Sequence, residues 1–401
     1  MYRLLTILIL LSSLSLQAED WPFYRGPQNT GSSSESDWNP EWPEGQPPIA
    51  WKKELGIGAS SFTIVGDQVF TMGNQKDHDV VWCLNAKDGS EIWAARYPVK
   101  FEKRMYEGGT SATPTIDGNH VYAFSYDGQL VCLNKADGKE IWRKHMLKDY
   151  GGKLSQWKYA GSPLVQGDRL FLDIGGKGNS TIALNKNTGE KIWGSGKESA
   201  GYSTIVPFKN AGQDTLLVFK GQSLNALNPV DGQERWSVKW KTSYDVNASS
   251  PIPLDGQILV TSGYKGGRAV LFDVTGSKPK QHWRNDDIKT KMSSAVVADG
   301  CVYAVTEAGA KLVCADMKTG KTLWTEKGTG QFGTLTHAGN TLIVLTESGE
   351  LWTVKPDRER FSLISRGKVL EGRCWVTPAM ANGRIYCRNN RGTAVCVAVD
   401  K

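Results

Sequence analysis

Past residue 16 the sequence has no apolar run approaching the roughly 20 residues that a membrane-spanning helix requires. Its one long run, Leu4 to Leu16 after Arg3, covers only 13 residues and gives way to Gln17-Ala18 and then Glu19-Asp20. Residues 1–18 therefore read as a cleavable export signal, and the mature chain is expected in the periplasm or otherwise outside the cytoplasm, not spanning a membrane. Charge of one sign is also scarce: 48 Lys and Arg stand against 41 Asp and Glu, leaving +7 over 401 residues, too dilute for a nucleic-acid binder. The five histidines, at 78, 120, 145, 282 and 337, have no metal-ligand spacing, and no Asp-rich calcium loop occurs, so no metal site is expected. None of the seven cysteines is adjacent to another, and an odd number leaves at least one thiol outside any bridge.

What the sequence has in quantity is 44 glycines and 15 tryptophans, the composition of a turn-rich, aromatic β protein. One phrase recurs: Cys83-Leu-Asn-Ala-Lys-Asp-Gly-Ser-Glu-Ile-Trp93, then Cys132 to Trp142, then Ala183 to Trp193. Weaker copies run from Ala226 to Trp236 and Cys314 to Trp324, a divergent one from Leu271 to Trp283, and a degenerate one ends near Phe361. Tryptophans 93, 142, 193, 236, 283 and 324 lie 41 to 51 residues apart, the length of a four-stranded propeller blade. Each repeat opens on small residues and often proline, as in Ser111-Ala-Thr-Pro114 and Ser249-Ser-Pro251, and its hairpins carry Asp-Gly turns such as Asp117-Gly118. Openings at Ser61, Ser111, Gly161, Tyr202, Ser249, Ser293, Phe332 and Val376 count eight blades.

The eighth blade is one strand short, and Ile49 to Leu55 carries the Trp51 that completes the tryptophan series. The expected fold is thus an all-β, eight-bladed β-propeller of four-stranded antiparallel blades over residues 49–401, its last blade closed by an N-terminal strand. Residues 19–48, with six of the 16 prolines and with Trp21, Trp38 and Trp42, read as an extended arm laid on the propeller wall. The repeat tryptophans belong between blades as seals. Cys83, Cys132 and Cys314 share one slot in three blades and read as small core residues, while a Cys374–Cys387 pairing is left open. Ser155-Gln-Trp-Lys158 has the spacing of serine acyl enzymes without their partner motifs, and Gly175-Gly-Lys-Gly178 lacks a strand-to-helix setting for phosphate.

The Leu-Asn-x-x-[Asp/Thr]-Gly-x-x-x-Trp phrase and the Ser-Pro openings resemble the PQQ-like repeat shared by quinoprotein dehydrogenases and the BamB-type propeller of outer-membrane assembly. Trp21-Pro-Phe-Tyr-Arg-Gly-Pro27 with Ile49-Ala-Trp-Lys52 further resembles exported PQQ-like repeat proteins of planctomycetes and related bacteria. The dehydrogenase resemblance implies pyrroloquinoline quinone (PQQ) with calcium, held beside two vicinal cysteines and by acid and amide ligands. This chain has no vicinal cysteines and no ligand set that can be matched position by position, so no cofactor is expected, PQQ with calcium being the alternative.

Function is sought in the loops that leave the outer strand of one blade for the inner strand of the next, all on one face around the channel. Those loops carry Arg104, Tyr106, Trp157, Lys158, Tyr244, Asp245, Asn247, Lys291, Arg373 and Trp375, mixed charges and aromatics suited to recognition. No residue is assigned a catalytic role. The expectation is a non-catalytic binding or scaffold propeller that recognises a polypeptide or envelope component through this funnel, with a quinoprotein-like dehydrogenase or a structural subunit of an envelope assembly as alternatives.

Overall fold

The computed structural model describes residues 19–43, 45–103, 106–210 and 212–401. The expected export signal lies outside these residues. Eight sheets follow one another around a central axis, and each is a meander whose innermost strand lines the channel: Thr63–Val65, Thr115–Asp117, Leu164–Gln166, Val206–Asn210, Ile252–Leu254, Val296–Ala298, Thr334–Ala338 and Ala379–Ala381 open blades 1 to 8. Each strand starts just beyond the opening expected from the sequence. Blade 8 takes its fourth strand, Ile49–Glu54, from the N-terminal side of the chain, paired antiparallel with Thr393–Ala398 so that Trp51 faces Cys396. The expected eight blades and their closure are therefore both present.

The recurring phrase is explained by how neighbouring blades join. Within the turns an Asn or Asp caps the backbone: Asn85 Oδ1 accepts from the Lys87 N–H at 2.8 Å, Asn134 Oδ1 from the Ala136 N–H at 2.8 Å and Asp316 Oδ1 from the Thr319 N–H at 2.7 Å. Most outer-strand tryptophans then dock on the turn of the next blade. Trp93 Nε1 donates to Lys135 O at 2.9 Å, Trp142 Nε1 to Lys186 O at 3.0 Å, Trp193 Nε1 to Pro229 O at 3.1 Å and Trp283 Nε1 to Met317 O at 2.8 Å. The turn glycine must stay bare, because a Cβ at Gly138 would lie 2.5 Å from the Trp93 ring, and its φ of +70° also favours glycine. Trp51 completes the circle by donating to Ala86 O at 3.0 Å in blade 1. The Ser and Thr openings supply a second, inner ring of latches: Ser61 N–H donates to Thr113 Oγ1 at 2.9 Å, Thr113 N–H to Ser162 Oγ at 2.9 Å and Ser162 N–H to Thr204 Oγ1 at 3.0 Å.

The degenerate copy in blade 7 has a structural reason. Its tryptophan slot, opposite Thr353, holds Ser365. A tryptophan there would have no turn to dock on, because the fourth strand of blade 8 comes from the distant Ile49–Glu54 segment and no third-to-fourth hairpin exists in that blade. Trp38 and Trp42 of the arm fill the gap instead, packed with Ile343 and Leu345 of blade 7 and with Ile385 and Val397 of blade 8, and the Trp42 N–H donates to Ser365 Oγ at 3.2 Å.

The arm reaches beyond the wall on which the sequence reading laid it. Trp21 is fully buried and exchanges backbone hydrogen bonds of 2.8 and 2.9 Å with Ile64 of blade 1, while Pro22 O accepts from Ile116 of blade 2 at 3.1 Å. Arg25 then donates to Ala295 O, at the inner edge of blade 6, at 2.8 Å, and Ser32–Ser33 adds a parallel strand to the inner edge of blade 7. Contacts with blades 1 and 2 on one side and 6 and 7 on the other require the arm to cross the channel. The unpaired backbone of the inner strands explains the path, since it offers the hydrogen bonds that a proline-rich segment cannot make within itself.

Candidate functional site

Above this crossing lies a cavity of about 330 Å³. Its wall includes Ala59, Ser111, Ser162, Thr204, Ala248, Met292 and Thr377, from the segments that lead into seven of the eight inner strands. It therefore occupies the end of the channel where the outer-to-inner connections emerge. Tyr24 of the arm also lines it, so the channel is closed beneath and the cavity is blind.

The connections position the functional side chains. Tyr106 comes from the segment between blades 1 and 2, and Trp157 from the one between blades 2 and 3, which begins with the short helix Met146–Tyr150. Tyr244 stands on a turn between blades 4 and 5, two-thirds exposed, and Trp375 follows blade 7. These four expected residues are brought to one cavity. The Tyr106 ring meets Trp375 edge-on at 4.3 Å, and Phe332 stacks on Trp375 at 4.1 Å while also meeting Tyr106 edge-on at 6.3 Å.

Three more expected residues lie beside the wall, each a cation neutralised by a carboxylate and laid over aromatic rings. Lys158 Nζ is 2.6 Å from Glu102 Oε1 and 4.6 Å from the centre of Tyr126. Arg373 Nη1 makes contacts of 2.9 and 2.8 Å with both oxygens of Glu107 and lies 5.1 Å from Tyr106 and 5.0 Å from Trp375. Lys291 is 3.2 Å from Glu307 and 4.4 Å from Phe332. Asp245 lies outside the wall, accepting from Gln222 Nε2 at 3.0 Å. Asn247 is a correction: its side chain is fully buried and donates to Lys220 O at 2.9 Å and Gly221 O at 3.0 Å, so it fixes the loop instead of meeting a ligand. Arg104 lies outside the described residues.

The sequence reading missed Tyr126, Tyr264 and Asn390, which also line the cavity. They sit on turns between the second and third strands, and in an antiparallel meander those turns emerge at the same end as the outer-to-inner connections. The signal was the aromatic within Gly263-Tyr-Lys-Gly-Gly267 and Ser125-Tyr-Asp-Gly128. Tyr24 and Tyr202 were missed as well, the first because the arm was not expected to reach the channel.

In all, six tyrosines and two tryptophans face this space. Lys158, Tyr244 and Tyr264, each at φ +63°, and Asp245 at φ +54° hold a left-handed backbone that bulky side chains adopt only where surroundings enforce it. Burial pushes the Tyr126 phenol up to about 12 and raises that of Tyr264 too, so both keep their protons at neutral pH and remain hydrogen-bond donors. Among the described residues the wall includes no histidine or cysteine, and the one carboxylate there, Glu102, is bridged to Lys158.

A tricarboxylate quinone with calcium does not fit these residues. Among the described residues the wall offers no lysine or arginine for its carboxylates, and no three of His, Cys, Asp and Glu converge where a metal could be held. The seven cysteines are buried in blade cores, where Cys83 faces Trp93, Cys132 faces Trp142 and Cys314 faces Trp324, as their shared slot implied.

Solved structures share the architecture at low identity. BamB from Moraxella catarrhalis is 16% identical with a TM-score of 0.64, covering 86% of this chain and 95% of its own. The quinohemoprotein alcohol dehydrogenase from Comamonas testosteroni is 14% identical with a TM-score of 0.69, covering 95% of this chain and 81% of its own. A europium-containing methanol dehydrogenase is 13% identical with a TM-score of 0.68, covering 92% of this chain and 89% of its own. These likenesses establish the fold. No curated protein sequence matches the chain. The family model described as outer membrane protein assembly factor BamB matches residues 46–144, 76–326 and 280–361, overlapping stretches that take in most of the eight blades, and the chain belongs to that family of PQQ-like β-propellers.

Proposed function

We propose that this protein is a non-catalytic binding propeller, exported to the periplasm, that holds a polypeptide or another envelope component in its funnel. The observation that carries this reading is the convergence of eight aromatic side chains on one blind cavity, with the described cations beside it, Lys158, Lys291 and Arg373, each paired to a carboxylate. Tryptophan, tyrosine and arginine are the residues most often found to dominate interface energies. Membership of the BamB family and the apolar leader Leu4–Leu16 support the location, and no helix among the described residues is long and apolar enough to cross a membrane.

The test is capture from envelope extract by immobilised wild type and by a Trp157→Ala/Tyr244→Ala double variant. Both side chains line the cavity and neither closes a blade, so the melting temperature should hold while the retained component is lost. Equal retention by the double variant would place the binding site elsewhere.

A second reading, a structural subunit of an envelope assembly, is favoured by one feature. Ile92, Ile141 and Ile192 stand at the same outer-strand position in blades 1 to 3 and are 44%, 45% and 42% exposed. Replacing all three with serine should leave funnel binding intact, whereas loss of co-purification would favour this wall. The quinone alternative is tested by calorimetry with PQQ and calcium, for which we expect no stoichiometric isotherm.

A further inference from the structure

We propose that the blind cavity takes the uncharged end of a neutral glycan, an inference that rests on the cavity being the binding site. Charge is the first argument. An anionic ligand finds the three described cations beside the wall already compensated, since Lys158, Lys291 and Arg373 are bound to Glu102, Glu307 and Glu107. A cationic ligand fares no better, because the one carboxylate among the wall's described residues, Glu102, is already bridged to Lys158. The charges of the described residues thus favour a neutral ligand.

Shape is the second argument. With Tyr24 beneath, only an end or a tight bend can enter. A polypeptide end brings an ammonium or a carboxylate, and burying that charge without a partner is strongly unfavourable. The non-reducing end of a glycan brings hydroxyls alone. Its apolar C–H faces can lie on the tyrosine and tryptophan rings, while its hydroxyls meet the protonated phenol of Tyr264 and the amide of Asn390. At about 330 Å³ the space suits a terminal unit, and the remaining chain would leave through the aromatic mouth past Trp157 and Tyr244.

The experiment screens the mature protein on an array of neutral glycans. It then measures the retained structure, alongside a galacturonate oligomer and a peptide pool blocked at both ends, by calorimetry and tryptophan fluorescence. Tyr264→Phe, which keeps the ring and removes the hydroxyl, should weaken glycan binding roughly 5- to 10-fold. Trp157→Ala should weaken it further, and both melting temperatures should stay within a few degrees of wild type. Binding of the galacturonate or of blocked peptides alone overturns the glycan assignment and leaves the funnel as the binding site. Retention of no neutral glycan, or equal binding by wild type and both variants, also overturns it. The funnel reading itself fails separately, through unchanged capture by the Trp157→Ala/Tyr244→Ala variant.

Discussion

A single indole shows how much each repeat depends on its neighbour. The Trp93 ring rests on the bare Cα of Gly138 and its Nε1 on Lys135 O, so truncation removes packing and a hydrogen bond from both blades. Trp93→Ala should cost about 3–5 kcal/mol in urea unfolding. Gly138→Ala should also destabilise by at least ~1 kcal/mol, because the new methyl meets the ring in a backbone region that alanine avoids. Asp79 gives a pH signature. Its carboxyl accepts from Asn74, Thr110 and Ser125, yet burial raises its pKa above the ordinary 3.8. The folded form thus holds the proton more tightly than the unfolded form, so the contribution of Asp79 to stability is greatest below pH 3.8 and falls as pH rises through the raised value. Relative to Asp79→Asn, the wild type should lose melting temperature as pH climbs from about 4 toward neutrality; parallel curves would refute this.

Among the elements, the N-terminal segment does two separable jobs. Ile49–Glu54 completes blade 8, whereas residues 19–48 plug the channel and supply Trp38 and Trp42 to the joint between blades 7 and 8. Deleting 19–55 should expose the edge of Thr393–Ala398 and give aggregation, since an unpaired strand is a template for another chain. Deleting only 19–48 should leave the ring closed but open the channel and lower the melting temperature, which differential scanning calorimetry of the two truncations would separate. The closing strand was legible in the sequence because Trp51 kept a period set by blade length. The plug was not, because the arm obeys no repeat: its partners are backbone groups of Ile64, Ile116 and Ala295, and any sequence presents those. The loss of the blade 7 tryptophan was visible but became interpretable only once blade 8 proved to have no third-to-fourth turn.

For the whole molecule, the same logic divides what sequence conveys about the site. Tyr106, Trp157, Tyr244 and Trp375 could be found because they fall in connections whose lengths vary between repeats. Tyr24, Tyr126 and Tyr264 depend on how the ring brings separate turns together, and Asn247 looked like a surface amide until the loop folded over it. Because Trp51 locks blade 8 to blade 1, unfolding of the intact ring should be a single event, with coincident fluorescence and circular-dichroism transitions; removing residues 19–55 should split them, as in open repeat arrays. The blind channel carries a temporal consequence. Its floor is tied to blades 1, 2, 6 and 7, and its wall takes in Thr377 and Asn390 of blade 8, so the cavity cannot exist until nearly the whole chain has been delivered and its distant segments have met. Such long-range closure is among the slowest steps a β protein takes. Incomplete chains would therefore lack the cavity, and its presence would report completed molecules alone.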